Sequence, residues 1–564
     1  KFVGSEFGRI VPLVPDLAIT VQPNAQTRLL DFSDEVSRDY REFMVGAFAD
    51  TTRSRSKAIG QFLTPQPIFE SMVKEAISAL PRRAYPLIRI IDPFCGDGRL
   101  LVAFLNELKA SNIEVGKVEL FAWDIDQNIL EIASESIAKA SVETAFQISA
   151  QVELRDAFFC EDDLLGTFDV IVTNPPWSST KSLKPRAFEN ERDYDRYQEV
   201  ANSYCRLLVE RYPEVRGGRS FGAGALNLSR FGIALSCRLL NPQGLCAIVM
   251  PSSFAADTSS APLREIAFGN LYLRSLHYYP AEMKLFAGAD QAAIYVVLAH
   301  GCAEAPGKVV SHAYGSFKSY ETSADFWTFV ANNGWAVPLG YSEEELALIK
   351  KLSKSPMLGS FKEIKLGREV DETRIAERLC EDSPYRFVKG FMITCYDLSD
   401  EEKWYYDPAK ASVPPSADAE KVVWRDVSRV SQKKRVQATL LPPGHVAGNS
   451  LGVAICADRS LLRSFLGVLN SSVFEFVARS MLTTNHVSAG TLKRMPFPHL
   501  DSVLASRISV EVDAILTHPH DVATKQRIDE LVSFAYGLTD EELLVAQNAV
   551  HAVNQLVLEL QESK

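Results

Sequence analysis

Phe168-Asp169-Val170-Ile171-Val172-Thr173-Asn174-Pro175-Pro176-Trp177 is the stretch on which the reading of this chain turns. The apolar run over 168–173 reads as a buried strand. It ends in an Asn-Pro-Pro-aromatic turn, and the carboxyl ends of strands are where parallel α/β sheets place ligand sites. Each proline fixes its own φ and restricts the residue before it. Such a turn aims the Asn174 amide and a backbone carbonyl at one point, with an aromatic face beside them. A flat heteroaromatic amine would meet two acceptors and a stacking surface there. The plainer reading is a proline-rich turn with Trp177 as packing, and the surrounding sequence has to decide.

Outward from this turn, strand and helix patterns alternate. Residues 87–91, 118–123, 152–154 and 170–172 read as strands, with helices over 99–109 and 127–139 between them. A helix over 226–240 leads into a strand over 245–250. This alternation predicts an α/β fold with a doubly wound, mostly parallel sheet. Residues 271–279 and 292–299 read as an antiparallel edge hairpin. The polar segment of about 178–224 reads as an insertion beside the turn, part of it helical. Ser342-Glu343-Glu344-Glu345 is a capping box. Four regions follow: a helical segment over 1–58, the α/β domain over 59–338, an α+β domain of short strands and turn clusters over 339–500, and a helical tail over 501–564. In the tail Gly537 ends one helix, and Thr539 with Glu542 caps the next.

At 564 residues the chain exceeds one hydrophobic core. Nothing in it approaches a bilayer-spanning run or a signal peptide. It opens on Lys1 rather than Met, which leaves its true start open. Nine cysteines without a Cys-x-x-Cys pair point to a reduced cytoplasm, and nine histidines away from zinc spacing predict no structural metal. A net charge of −11 argues against nucleic acid as a bulk partner. A cleft can still be positive on a negative protein.

The other strands end as suggestively as the fourth. Asp92-Pro93-Phe94-Cys95-Gly96-Asp97-Gly98 follows the first, and its glycines let the backbone turn tightly against a ligand. The second ends in Asp124, placed to take the hydroxyls of a ribose. The third ends near Asp156, which could accept from an adenine amino group. Each strand thus delivers a polar group to one sheet edge.

Together these stretches resemble the S-adenosylmethionine-dependent DNA adenine-N6 methyltransferases of the γ motif order. Gly60-Gln61-Phe62-Leu63-Thr64-Pro65 is similar to that family's N-terminal cofactor motif, and Asp92 to Gly98 to its Gly-rich loop. Ala122-Trp123-Asp124-Ile125-Asp126 resembles the acidic ribose motif, with Asp124 where Glu is usual. Arg155-Asp156-Ala157-Phe158 resembles the adenine motif, and Asn174 to Trp177 the catalytic motif, with Trp in place of Tyr or Phe. Asn241-Pro242-Gln243-Gly244 and the run 248–254 are similar to a later structural motif. The resemblance covers roughly 58–300. It implies that Phe62, Thr64, Pro65, Asp92, Pro93, Cys95, Gly96, Gly98, Asp124, Ile125, Asp156, Ala157 and Phe158 hold S-adenosylmethionine, with Phe62 and Thr64 at its methionine end. Cys95 is a small residue beside the cofactor rather than a nucleophile. Thr64-Pro65 also reads as a helix start. The catalytic group would be Asn174, Pro175, Pro176 and Trp177. Asn174 and the Pro175 carbonyl would bind the amine of an adenine flipped out of the duplex, and Trp177 would stack on it. Phe286 is a candidate for the opposite face of the base, or simply hairpin core.

The most basic stretch is 424–435, where Arg425, Arg429, Lys433, Lys434 and Arg435 stand against one acid. It reads either as a DNA-contacting surface or as a solvated face. Ser471, Asn485, His486 and Ser488 have hydrogen-bonding reach without an assigned base. The runs 466–472 and 491–498 resemble target-recognition regions of restriction-modification specificity domains. The implied protein is a monomeric, site-specific adenine methyltransferase acting on double-stranded DNA in the prokaryotic cytoplasm. It is most like those of type IIS systems, protects host DNA, and has a possible separate cognate restriction endonuclease. No nuclease cluster is found in the chain. Alternatives are an RNA or protein-glutamine methyltransferase, or a DNA-specificity subunit without catalysis.

Overall fold

The computed structural model describes residues 23–46, 62–142, 146–188, 190–215, 226–286, 291–300, 306–313, 316–370, 379–400, 404–428, 432–482 and 486–562. By internal contacts the chain divides into two units. The first holds the described residues within Lys1–Thr64, Arg82–Arg216 and Phe221–Asn241; the second holds those within Pro65–Pro81 and Pro242–Lys564.

In the first unit, helix α1 (Pro23–Gly46) precedes four strands, β1 (Tyr85–Asp92), β2 (Val115–Asp124), β3 (Gln147–Leu154) and β4 (Phe168–Thr173). They lie in the order β3-β2-β1-β4 and every neighbouring pair is parallel. The register sets Asp92 beside Ala122, Asp124 beside Leu154 and Ile91 beside Ile171, so the four strands finish along one rim. Ile88, Ile90 and Ile91 of β1 and Val170, Ile171 and Val172 of β4 are buried. Near-continuous apolar runs of this kind mark strands covered on both faces.

Two helices form the crossovers. One is Arg99–Ala110, here α3, because α2 (Gln66–Ala79) belongs to the second unit. It buries Leu100, Leu101, Phe104, Leu105 and Leu108 at helical spacing, and each such side chain is worth about 1.5–3 kcal/mol of transfer free energy. The other, α4 (Gln127–Ala140), is capped by Asp126, which accepts from the Asn128 amide at 3.1 Å. The segment after the Asn-Pro-Pro turn contains α5 (Glu191–Arg211), and α6 (Leu228–Leu239) follows. Helix α5 packs on α1, where the Tyr40 and Tyr204 rings stack 3.9 Å apart and 11° from coplanar.

In the second unit, which takes β5 (Leu240–Pro251) from Pro242 onward, β5, β6 (Tyr272–Tyr279), β7 (Ala293–Ala299), β8 (Gly307–Ala313) and β9 (Ser316–Thr322) lie in the order β5-β7-β6-β8-β9. The β6/β7 pair is antiparallel, and β8 and β9 extend the sheet beyond it. Glu75 of α2 meets His277 of β6 at 2.8 Å.

Ser342 opens helix Glu343–Leu352 with both bonds of a capping box. Short strands then form two four-stranded sheets and one hairpin. Two of these strands, Lys421–Arg425 and Leu451–Ile455, pair antiparallel. Helices Arg459–Asn470 and Ser472–Met481 share a core with Trp424 and with Ser502–Thr517 and Val522–Ala535 of the tail. Among the described residues no single helix is long and apolar enough to cross a membrane. Trp424 is fully buried, and its indole N–H donates to the Val487 carbonyl at 2.7 Å. A Cβ added at Gly452 would overlap that indole. Replacing Gly452 by Ala should therefore destabilise this unit by about 1–3 kcal/mol, read as a lowered urea midpoint or melting temperature; an unchanged midpoint would contradict the packing.

Candidate active site

A cleft opens at the rim where β1 to β4 end, and it lies wholly within the first unit. Of the residues expected at a cofactor, Phe62, Thr64, Asp92, Pro93, Cys95, Gly96, Asp124, Ile125, Asp156, Ala157 and Phe158 all line it, as do Asn174 and Pro176. Pro65, Gly98, Pro175 and Trp177 are not in its wall. Pro65 is the N-cap of α2 in the second unit. Gly98 is the N-cap of α3 at φ 78°, and a Cβ there would come within 3.3 Å of Ala133 on α4. Trp177 is buried with its ring tilted against Phe62, centroids 5.8 Å apart.

Asn174 is held by its nitrogen. Nδ2 donates to the Phe62 carbonyl at 2.7 Å and to Thr64 Oγ1 at 3.1 Å. A carbonyl only accepts, so the group facing Phe62 has to be the NH2. Oδ1 is left buried with no hydrogen-bond partner. Leaving such an acceptor unmet costs about 1–3 kcal/mol.

Four carboxyl groups line the cleft, those of Asp92, Asp97, Asp124 and Asp156. Asp92 is fully buried; Oδ1 accepts from Thr173 Oγ1 at 2.7 Å and from the Phe94 amide at 3.0 Å, while Oδ2 is buried without a partner. Burial pushes its pKa up to about 7. Asp124 accepts from the Gly96 amide at 2.9 Å and the Asp126 amide at 3.0 Å, and burial pushes it up to about 6. Gly96 makes that contact from a positive φ of 51°, a conformation glycine adopts without strain. Asp156 is also raised by burial; it accepts from the Phe158 amide at 3.1 Å and from the hydroxyls of Ser37 and Tyr204, each at 2.8 Å. Burial also pushes the Cys95 thiol well up, which leaves it protonated and a poor nucleophile.

Several lining residues carried no signal in the sequence. Tyr40, Arg41 and Met44 of α1 and Tyr204 of α5 close the side near Asp156. Arg99 was legible only as the start of a helix. Its guanidinium holds Asp97 at 2.9 and 2.6 Å and donates to the Thr64 carbonyl at 3.0 Å, tying the Gly-rich loop to the Phe62–Thr64 segment. Gly232 of α6 lies against the Asn-Pro-Pro turn: a Cβ there would overlap the Pro175 ring and come within 3.3 Å of Phe94.

In the second unit the basic stretch is not a continuous exposed run, and that expectation is corrected. Arg435 is buried, its backbone amide donates to Glu475 at 2.8 Å, and burial pushes its pKa down to about 10. Arg425 donates to the carbonyls of Gly390 at 2.6 Å and Phe391 at 3.2 Å, and Lys434 donates to the Asn470 carbonyl. Lys433 is exposed, and Arg429 lies outside the described residues. These cations are claimed by chain segments that sequence spacing does not bring near them. Phe286 is buried in the second unit. Ser471 and Ser488 cap helices, His486 is exposed, and Asn485 lies outside the described residues.

The fold and this cleft define a class: a doubly wound, Rossmann-like α/β domain with its cleft at the strand ends and a further α+β and helical region after it in the chain. The comparison with known families agrees, since residues 33–206 match the family model described as N-6 DNA Methylase. The resemblance drawn from the motifs therefore stands. The type II methyltransferase M.BanIII of Aneurinibacillus aneurinilyticus is 24% identical over 253 residues, covering 43% of this chain and 38% of that protein. Type II methyltransferase M.BsuBI of Bacillus subtilis is 24% identical over 239 residues, 40% of each chain. This chain thus spans well under half the length of these curated relatives. Among solved structures, the type IIL restriction-modification enzyme MmeI in complex with DNA superposes with a TM-score of 0.50 at 12% identity, covering 95% of this chain and 78% of that one. At that identity the likeness shows the fold.

Two outcomes follow from the geometry. Replacing Gly232 by Ala should move the Pro175 turn and destabilise the first unit by about 1–3 kcal/mol, measured by thermal melting; a variant as stable as the parent would contradict the close packing. Asp92 has a folded pKa above its unfolded value, so its contribution is fully present below the unfolded pKa of about 4 and is lost as pH rises through about 7. Asp92→Asn should consequently gain stability relative to the parent between pH 5 and pH 8. Melting curves of the two across that range check the sign, and a constant gap would contradict it.

Proposed function

We propose that this chain is a site-specific DNA methyltransferase that moves a methyl group from S-adenosylmethionine to the N6 amine of an adenine extruded from duplex DNA. The observation that carries the reading is the buried, unpartnered Oδ1 of Asn174 at the cleft wall. The family match over 33–206 and the type II methyltransferase relatives support it.

The cleft residues fit the cofactor. The orphaned Oδ2 of Asp92 is an acceptor suited to its ammonium group, and Asp124 on the neighbouring strand suits its ribose hydroxyls. Asp156 at the cleft wall suits its adenine amino group. When bound, S-adenosylmethionine supplies an electrophilic methyl group on a sulfonium.

The residues of the chain handle the amine. An exocyclic adenine nitrogen is a poor nucleophile because its lone pair is delocalised into the ring. Asn174 Oδ1 and the Pro175 carbonyl would each accept one of its hydrogens and localise that lone pair. Positioning of this kind supplies several kcal/mol, and effective molarities reach about 10⁵–10⁸ M in well-oriented systems. Trp177, packed on Phe62, is the proposed stacking surface for the extruded base, worth about 1–3 kcal/mol. Proton loss follows methyl transfer, so no ionised base is needed. The region 339–500 is the proposed recognition module, and a cognate restriction endonuclease would be a separate chain.

Tritium from labelled cofactor should appear in plasmid DNA as N6-methyladenine, and Asn174→Ala should abolish it. Label in RNA or protein but not in DNA would overturn the reading. Duplex binding should weaken steeply with added salt despite the net charge of −11, and affinity indifferent to ionic strength would contradict phosphate contact.

A further inference from the structure

With most of the basic stretch turned to structural use, the second unit still carries one surface cluster built around a buried acid. Asp426 follows the strand Lys421–Arg425, and its side chain is 4% exposed. Its Oδ2 is shared by two side chains that reach solvent. Arg368 Nη2 donates to it, and His486 Nδ1 lies 3.5 Å away; these side chains are 50% and 63% exposed. Its Oδ1 is buried with no partner. Phe391 and Val427 are exposed at 57% and 51%. Phe391 stands on a turn pinned by the two bonds from Arg425, the residue next to Asp426. Val427 is bridged in antiparallel register to His486.

A solvated face does not need this construction. Exposed cations ordinarily keep their rotamer freedom, because pairing them gains little in water. Here a buried carboxylate fixes the direction of an arginine and a histidine, and a second arginine fixes a phenylalanine facing solvent. The carboxylate also lowers the net charge of the cluster, which weakens it for simple phosphate attraction and favours directional donation. Forked guanidinium donors match the O6 and N7 acceptors of guanine in the major groove, and exposed apolar side chains match the thymine methyl group.

We propose that Arg368 and His486, oriented by Asp426, read base edges of the target duplex, with Phe391 and Val427 in apolar contact beside them. This rests on the reading of the chain as a DNA methyltransferase. It makes Arg425 a positioning residue rather than a phosphate contact.

The test is selection from a randomised duplex pool by the full chain at fixed salt, followed by methylation of whatever motif is enriched. The wild type should enrich one motif. Arg368→Ala should enrich a motif degenerate at one guanine, and His486→Ala a motif degenerate at a second position. Each variant should lose about tenfold in affinity for the wild-type motif, with cofactor binding unchanged. Asp426→Asn should relax both positions. The proposal is overturned if the two alanine variants enrich the wild-type motif, if they lose affinity evenly for every sequence, or if the wild type enriches nothing. A motif that is bound and read by these residues but never methylated would leave the cluster standing and overturn the methyltransferase reading instead.

Discussion

The structure of the cleft depends on one hydrogen bond, from the Asn174 amide to the Phe62 carbonyl. That bond decides which end of the amide is committed within the protein. With the nitrogen committed to Phe62 and Thr64, the oxygen is the group left over. A free asparagine could rotate and present either end, and half of its orientations would repel an amine hydrogen. Clamping the donor end converts an ambiguous side chain into a fixed acceptor, which is what preorganised polar catalysis requires. The clamp itself is tied down: Arg99 binds the Thr64 carbonyl and the Asp97 carboxylate together, so the Gly-rich loop and the Phe62–Thr64 segment are set as one piece.

The acids of the same cleft follow a related logic. Asp92 and Asp124 are raised toward neutrality by burial, and both remain partly satisfied by backbone amides of the loops they hold. Each therefore does structural work on a turn while keeping capacity toward the cleft. Asp156 is furnished differently. Its hydroxyl donors come from α1 and α5, and the Tyr40–Tyr204 stack closes that flank. The N-terminal helix is accordingly part of the site wall.

Much of this was legible in the sequence because strand ends in a parallel sheet are marked by composition. Apolar runs ending in Asp92, Asp124 and Asn174 gave both the strands and the groups they deliver. Strand β3 was legible only over its last three residues, because 147–151 are largely polar and exposed at the edge of the order β3-β2-β1-β4. Strands β8 and β9 mix Gly, Ser, Lys and Thr with their apolar residues and gave no periodic signal. The basic stretch misled for another reason: Arg435 meets Glu475, and Lys434 meets Asn470, through tertiary packing that local charge counting does not contain. Ser37 and Tyr204 were hidden in the same way, since nothing near them in sequence resembles Asp156. Arg368 and His486 are isolated in sequence and become a pair only through Asp426.

The orientation of the Asn174 amide is most directly tested by a crystal structure of the full chain with sinefungin and a cognate duplex. The expected result places Oδ1 about 2.7–3.2 Å from N6 of an extruded adenine, with Nδ2 still on the Phe62 carbonyl. An amide turned so that Nδ2 faces the base, or an Oδ1 bonded within the protein, would contradict it.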